Sequence, residues 1–224
     1  RRTTVSRYDF RQGPLNRLGG STSSNHFSKR DSEITHMNII RWAAILLALV
    51  LSATTAAVPS QNFETERQEG EQGRWLTYSD IVAGGNSIIE REIAEESGNR
   101  FMKMQGQLKS GFFYPFAGVQ WLFNSNGTPR DVSNFTGLRF RARGDGNVYR
   151  VQLLLASVRD NNNYGFEFST ENEWRTYEVR FDQLKQEGWG SPVELDPAIA
   201  RGVGFHIDGG VVDFEISLDD IELY

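Results

Sequence analysis

From Arg74 to Tyr224 the apolar positions recur at every second residue. Leu138, Phe140 and Ala142 alternate with Arg139, Arg141 and Arg143, and Tyr149, Val151, Leu153 and Leu155 alternate with Arg150, Gln152 and Leu154. Tyr177, Val179 and Phe181 alternate with Trp174, Thr176, Glu178 and Arg180, and Phe214, Ile216 and Leu218 with Glu215 and Ser217. A period of two sends successive side chains to opposite faces of a strand. One buried and one wet face is the pattern of antiparallel sheets. Turn clusters separate the runs: Asn124-Ser125-Asn126-Gly127, Gly144-Asp145-Gly146-Asn147, Asn161-Asn162-Asn163 and Asp208-Gly209-Gly210;. The pattern predicts about ten strands, near 74–82, 87–94, 100–109, 113–123, 137–143, 148–158, 164–170, 174–181, 202–207 and 212–223. Helix is confined to single turns at Asp182–Gln186 and Asp196–Ala200. Residues 74–224 therefore read as one all-β domain, an antiparallel jelly-roll β-sandwich.

The pattern changes upstream. Met37-Asn38-Ile39-Ile40-Arg41 leads into the apolar run Trp42–Leu51 and then into small residues through Ala57. One positive charge, about ten apolar residues and a small-residue end have the layout of a secretory signal peptide, here 37–57, with cleavage after Ala56 or Ala57. The Ser, Thr and Ala of its second half fall short of the ~20 apolar residues of a spanning helix. Residues 1–36 are polar, Arg- and Ser-rich and carry no apolar period, so they read as a disordered leader with Met37 as the true start. The competing reading of that leader is an organellar transit peptide. Residues 58–73 are polar with Pro and Gly at their ends, a linker or loosely held arm;.

Composition narrows the chemistry. Hydrophobic residues make up 38% and aromatics 12%, enough for a real core, and there is no cysteine. Disulfides, thiolate metal sites and cysteine nucleophiles are excluded, and an exported chain without disulfides fits a bacterial periplasm. Residues 1–57 hold eight Lys+Arg against three Asp+Glu, a net +5, and the remainder, with sixteen against twenty-six, carries −10, which together give the chain's net −5. A folded part that acidic lacks the basic footprint that nucleic acid or an anionic membrane requires.

Catalytic sets are sparse. Two of the three histidines, His26 and His36, lie in the leader, and His206 sits on an alternating strand between Phe205 and Ile207 as a satisfied structural histidine would. No nucleophile elbow accompanies it, and a three-histidine zinc site cannot be assembled. Glu167, Asp208, Asp213, Asp219 and Asp220 could in principle supply the two carboxylates of a glycosidase, but acidic residues on wet strand faces are the default;. Gly144-Asp145-Gly146 and Gly188-Trp189-Gly190 lack the strand-to-helix context of a nucleotide loop;. Arg143-Gly144-Asp145 is explained by turn chemistry, and the sequons Asn126-Gly127-Thr128 and Asn134-Phe135-Thr136 are also ordinary turn residues;. The sequence implies no cofactor, no metal and no nucleotide.

Aromatics remain. A pyranose has an apolar face and a polar rim, so sugar sites pair flat aromatic faces with hydrogen-bonding side chains. Tyr114, Trp121, Tyr164 and Trp189 lie in or near turn-rich segments with Asp208 as polar partner, and these five residues are the candidate ligand site. Phe116, Asn124, Arg159 and Asn163 are their neighbours, whereas Trp75 and Trp174 are in phase with apolar strand positions and are expected in the core;.

Four blocks, in this order, carry a family resemblance. They are Trp75 with Ser79-Asp80-Ile81-Val82-Ala83-Gly84-Gly85-Asn86-Ser87, then Gly137 through Tyr149, then Trp174 with Val179-Arg180-Phe181-Asp182-Gln183-Leu184, then Phe214 through Tyr224. Together they resemble the complex I intermediate-associated protein 30 domain, a galactose-binding-like sandwich related to carbohydrate-binding modules. The resemblance covers nearly all of 74–224. It implies a sandwich that binds on a concave face or rim loops, and it draws notice to Asp219-Asp220, because related sugar-binding sandwiches often hold a structural calcium near the last strand. The expectation is a non-enzymatic, exported binding domain, periplasmic or extracellular, for a glycan or a protein partner, touching a membrane only through an uncleaved signal segment. The alternatives are a mitochondrial assembly factor for respiratory complex I, as the family name implies, and a polysaccharide-active enzyme using Glu167 or Asp219-Asp220.

Overall fold

The computed structural model describes residues 58–64 and 73–224; the leader, the signal segment and the middle of the segment read as a linker lie outside the described residues. Eleven strands are found among them: β1 (Ser60–Gln61), β2 (Arg74–Ser79), β3 (Ile88–Glu96), β4 (Asn99–Leu108), β5 (Phe116–Leu122), β6 (Gly137–Gly144), β7 (Val148–Leu155), β8 (Tyr164–Ser169), β9 (Arg175–Arg180), β10 (Ala200–Asp208) and β11 (Val212–Leu223). They form two sheets, β3-β4-β11-β6-β9 with β1 added to β11, and β2-β5-β10-β7-β8, and every ladder is antiparallel.

The period of two accounts for the packing. Met102, Met104, Phe140, Ile216 and Leu218 of the first sheet meet Val119, Trp121, Val151, Leu153 and Phe205 of the second, all at 1% exposure or less. Their intervening neighbours face outward, as expected of two packed sheets. Phe140 meets Phe205 edge-on at 5.1 Å and Phe168 at 5.1 Å, so the centre of the sandwich is aromatic;.

All ten predicted strands are present, with shifted ends. The first stops at Ser79 because Asp80–Ala83 forms a 3-10 turn closed by Gly84 at φ +92°, a left-handed conformation that glycine adopts without steric cost. Buried Asp80 holds that turn by accepting from Ser87 N at 2.9 Å and Ser87 Oγ at 2.6 Å. Short 3-10 turns at Phe181–Gln183 and Pro197–Ile199 occupy the two places read as helical. The arm is more firmly held than its composition suggests: Ser60 and Gln61 pair with Glu222 and Ile221, and Phe63 packs 6.0 Å from the ring of Trp75. No helix of the described residues is long and apolar enough to cross a membrane.

The outer faces of the two sheets differ. On β6, Arg139 pairs with Glu178 (2.7 Å) and Glu222 (2.9 Å), and Arg143 with Glu96 (2.7 Å), a self-neutralised and solvated stripe. Trp174 lies under that stripe, with the Arg141 and Arg143 guanidinium groups 5.1 and 5.0 Å from its ring, and not in the core as its spacing suggests. It precedes the first ladder residue of β9, so the strand's alternation does not govern it. On β7 the outward residues Arg150, Gln152 and Leu154 are themselves only 8%, 7% and 5% exposed. Something covers that face.

Candidate ligand groove

Cross-strand register places one row of side chains over the outer face of the second sheet: Tyr78 opposite Gly118, Gly118 opposite His206, His206 opposite Arg150, and Arg150 opposite Glu167. The next row on that face is Gln120, Gly204, Gln152 and Gly165. Glycines let the long side chains lie flat. A Cβ on Gly118 would sit 2.5 Å from the Tyr78 hydroxyl and one on Gly165 would sit 2.4 Å from Arg150 Nε. The result is a groove of about 370 Å³, within the ~300–1,000 Å³ range of small-molecule sites. Tyr78, Phe116, Gln120, Gln152 and His206 form its floor, Phe112, Tyr114 and Val82 one wall, and Asn161–Asn163, Glu187 and Trp189 the other.

A hydrogen-bonded chain crosses the floor. Tyr114 Oη donates to Asp208 Oδ1 at 2.8 Å, and Asp208 Oδ2 lies 2.9 Å from His206 Nε2. With the imidazole proton on Nε2, facing the carboxylate, Nδ1 accepts from Tyr78 Oη at 2.9 Å. Burial pulls the Asp208 carboxyl up, but the bonds from His206 and Tyr114 and the charge of Arg150 outweigh it and hold the group below its ordinary range;. Burial raises the Tyr78 phenol far above its ordinary value, with Asp208 adding to the effect. The Tyr114 phenol is pushed up to about 12, first by desolvation, then by its bond to Asp208 and the charges of Asp208, Glu187 and Glu167.

Arg150 is the one cation among the lining residues. Its Nη2 donates to Lys185 O, Glu187 and Glu167 carboxylates lie 3.6 and 4.0 Å away, and its Nε is buried without a hydrogen-bond partner. The second wall belongs to two loops, and a bridge between Gly165 of β8 and Lys185 ties the second of them to the sheet. Trp189 Nε1 donates to Glu187 there, and the residue is 50% exposed.

Of the five predicted ligand residues, Tyr114, Trp189 and Asp208 meet at this groove. Trp121 does not: it pairs with Val203 and Trp75, shares the inward face of β5 with Ala117 and Val119, and is 1% exposed. Nor does Tyr164, which lies opposite core residue Leu153 and donates to Val193 O at 2.7 Å, bracing the second wall from the inner side. Both were placed by nearness to turns, whereas strand parity sends them inward. Phe116 and Asn163 line the groove; Asn124 instead closes its own turn through Thr128 and Pro129. Tyr78, Gln120, Arg150, Gln152 and Glu187 went unrecognised. For the first four the available signal was an outward polar or amphipathic position on a strand.

His206 is satisfied on both nitrogens, as its strand context suggested, yet it sits in the floor of the site. Asp219 lies on the other sheet, accepting from Asn99 Nδ2 (3.1 Å) and Asp220 N (2.8 Å) at a bulge where Asp220 has φ +46°. Among the described residues no cluster of three or more His, Asp or Glu is arranged to hold a metal ion. A larger hollow of about 470 Å³ on that sheet is lined by Glu90, Asp145, Asp213 and Glu215. It brings no tyrosine or tryptophan to the surface, and Asp145, Asp213 and Glu215 are engaged by Glu215 N, Gln107 and Lys103.

Residues 62–218 match the family model described as complex I intermediate-associated protein 30 (CIA30), which covers well over half of the chain. A curated relative, endoglucanase 3 of Fibrobacter succinogenes, is 25% identical over 163 residues; the match takes in 66% of this chain and only 24% of that protein. The fold is that of the family 11 carbohydrate-binding module from Clostridium thermocellum, solved with a β-1,3-1,4-mixed-linked tetrasaccharide: TM-score 0.57 at 16% identity, over 75% of this chain and 96% of that one. A family 30 carbohydrate-binding module of a Clostridium thermocellum cellulosomal cellulase is also similar, with TM-score 0.51 at 11% identity over 74% and 96% of the two chains.

Proposed function

This chain belongs to the complex I intermediate-associated protein 30 family, and we propose that it is an exported, non-enzymatic binding domain whose groove holds a stretch of uncharged glycan. The observation that carries the reading is the groove itself. Exposed Trp189 and Tyr114 stand on opposite walls of a floor of half-buried hydrogen-bonding groups presented by a rigid sheet. Aromatic faces suit the apolar face of a pyranose, and the side chains of Gln120, Gln152 and Asn163 suit its hydroxyls. An uncharged ligand follows from the electrostatics: Glu187, Glu167 and an ionised Asp208 surround the single Arg150 cation, so a polyuronate or sulfated chain would meet net negative charge;. The mixed-linked oligosaccharide of the family 11 module and the endoglucanase containing a related segment support a β-glucan.

A hydrolytic reading is less well supported. Glu167 on β8 lies on the other sheet from Asp219-Asp220 on β11 and cannot share a sugar with them, and within that pair Asp219 is 1% exposed and occupied by Asn99 Nδ2 and Asp220 N;. Export rests on the signal-like segment 37–57. The test is affinity electrophoresis through gels holding mixed-linked β-glucan, hydroxyethylcellulose, xylan or polygalacturonate. Retardation by a neutral glucan, weakened in Trp189→Ala and absent with polygalacturonate, is expected. Equal mobility in every gel overturns the reading.

Family membership favours one other reading, an assembly factor for respiratory complex I. The N-terminus of the purified natural protein separates the two. A start near Val58 agrees with export, and a start within 1–36 with organellar import.

A further inference from the structure

The Trp189 wall has little packing of its own. Its flanking residues, Gly188 and Gly190, carry no side chains, Ser191 and Pro192 are exposed, and the chain turns through a left-handed Gly190 at φ +72°. A loop of that composition would sample many conformations unless polar contacts held it.

Those contacts converge on Asn162 of the neighbouring loop, 2% exposed. Its Nδ2 donates to Glu187 O (3.1 Å) and to Trp189 O, and its Oδ1 accepts from Glu187 N (2.9 Å). Three of the four hydrogen-bonding positions of its amide are thus spent on two residues of the Trp189 loop. Its main-chain carbonyl accepts from Gln186 Nε2 (2.7 Å), and Gln186 Oε1 in turn accepts from Val193 N (2.9 Å). Asn162 is itself held: Asp160 Oδ1 accepts from Asn162 N (3.1 Å), while Asp160 Oδ2 accepts from Ser191 N (2.6 Å). The turn that supports this is Asn161, at φ +67°, a conformation that Asn tolerates better than most residues;.

We infer that Asn162 is the positioning residue for Trp189, and that it sets glycan affinity through the placement of that ring. The inference rests on the reading of the groove as a glycan site. A stacking platform acts only if it is in place before the ligand arrives; a loose one must be ordered at the moment of binding and weakens affinity by that cost. The Asn-Asn-Asn run thereby divides its labour. Asn161 supplies the backbone turn, Asn162 clamps the neighbouring loop, and Asn163 lines the groove.

The experiment compares the full chain with Asn162→Ala, Trp189→Ala and the double variant. Acrylamide quenching of tryptophan fluorescence, with the Trp189 component taken by difference from Trp189→Ala, reads the ring's exposure without any ligand. Calorimetric titration with a mixed-linked β-glucan tetrasaccharide reads affinity. Asn162→Ala is expected to raise quenching of the Trp189 component and to weaken affinity about tenfold, equivalent to about 1.4 kcal/mol. In the Trp189→Ala background the same change is expected to have almost no further effect. Unchanged quenching, or the same loss of affinity in both backgrounds, overturns the inference. If Asn162→Ala does not fold, Gln186→Ala, which cuts the ties to Asn162 O and Val193 N, is expected to raise the quenching, and no rise overturns it. If the wild-type chain binds no glucan, the function proposed above fails while the quenching comparison still decides whether Asn162 places the ring.

Discussion

Trp121 and Trp189 have similar credentials in the sequence and opposite ones in the fold. Trp121 is 1% exposed, lies 5.2 Å edge-on from Phe123 and 6.2 Å from Trp75 in a near-parallel stack, and belongs to the core. Its truncation to Ala removes the largest fully buried side chain among the described residues and opens a cavity between the two sheets. Buried Trp→Ala changes cost about 3–5 kcal/mol, the spread reflecting how far the site relaxes. For a domain of this size each kcal/mol lowers Tm by roughly 2–4 °C, so Trp121→Ala is expected to melt about 6–20 °C below wild type. Trp189 is half exposed and lies in a glycine-flanked loop, so its truncation is expected to stay within about 0.5 kcal/mol, or roughly 2 °C;. Thermal melts followed by near-ultraviolet circular dichroism supply the comparison, with glucan affinity measured on the same samples below the transition. Trp121→Ala should lose stability and keep most of its affinity; Trp189→Ala should do the reverse. A Trp121→Ala protein that melts with wild type, or a Trp189→Ala protein that melts as low as Trp121→Ala, would refute the assignment of one ring to the core and the other to the site.

Two other outcomes follow from the groove. Gly118→Ala would place a Cβ 2.6 Å from Phe205 O and 2.5 Å from Tyr78 Oη; the first is backbone and cannot move aside, so a loss of about 1–3 kcal/mol is expected, and denaturant melts that match wild type would contradict it. Tyr114, with its phenol raised to about 12, retains its proton longer in the folded state than in the unfolded one. Its contribution to stability is therefore complete below about pH 10, the ordinary tyrosine value, and is lost as pH rises through about 12. An alkaline absorbance titration compared with Tyr114→Phe should show this phenol ionising after the ordinary tyrosines, and more readily once Asp208→Asn removes the neighbouring charge.

Alternation along the strands determined the fold class by itself. A residue two positions from a buried one lies on the same face, so Leu138, Phe140 and Ala142 could be assigned inward, and Arg139, Arg141 and Arg143 outward, without coordinates;. The same parity would have placed Trp121 with Ala117 and Val119; proximity to the turn at Asn124 was the weaker cue. Trp189 was legible because an aromatic in a glycine-flanked loop has no strand face to fill; Tyr114 was expected within a strand spanning 113–123 and is left outside it because β5 begins at Phe116.

Local periodicity does not say which outward face acquires walls. The stripe on β6 and the row on β7 both alternate polar with apolar residues, yet Arg139 is solvated while Arg150 is 8% exposed in a groove floor. The difference arises from topology: β10 is inserted between β5 and β7, and this brings Tyr78 to His206 across 128 residues. It also arises from the loop at Glu187 folding back on Asn162, 25 residues away in sequence. Strand-forming tendency and facing are short-range properties set by the pleat, and the sequence alone contained them. The meeting of Tyr78, His206, Asp208, Tyr114 and Trp189 in one groove depends on strand order and loop docking, which only the tertiary structure decided.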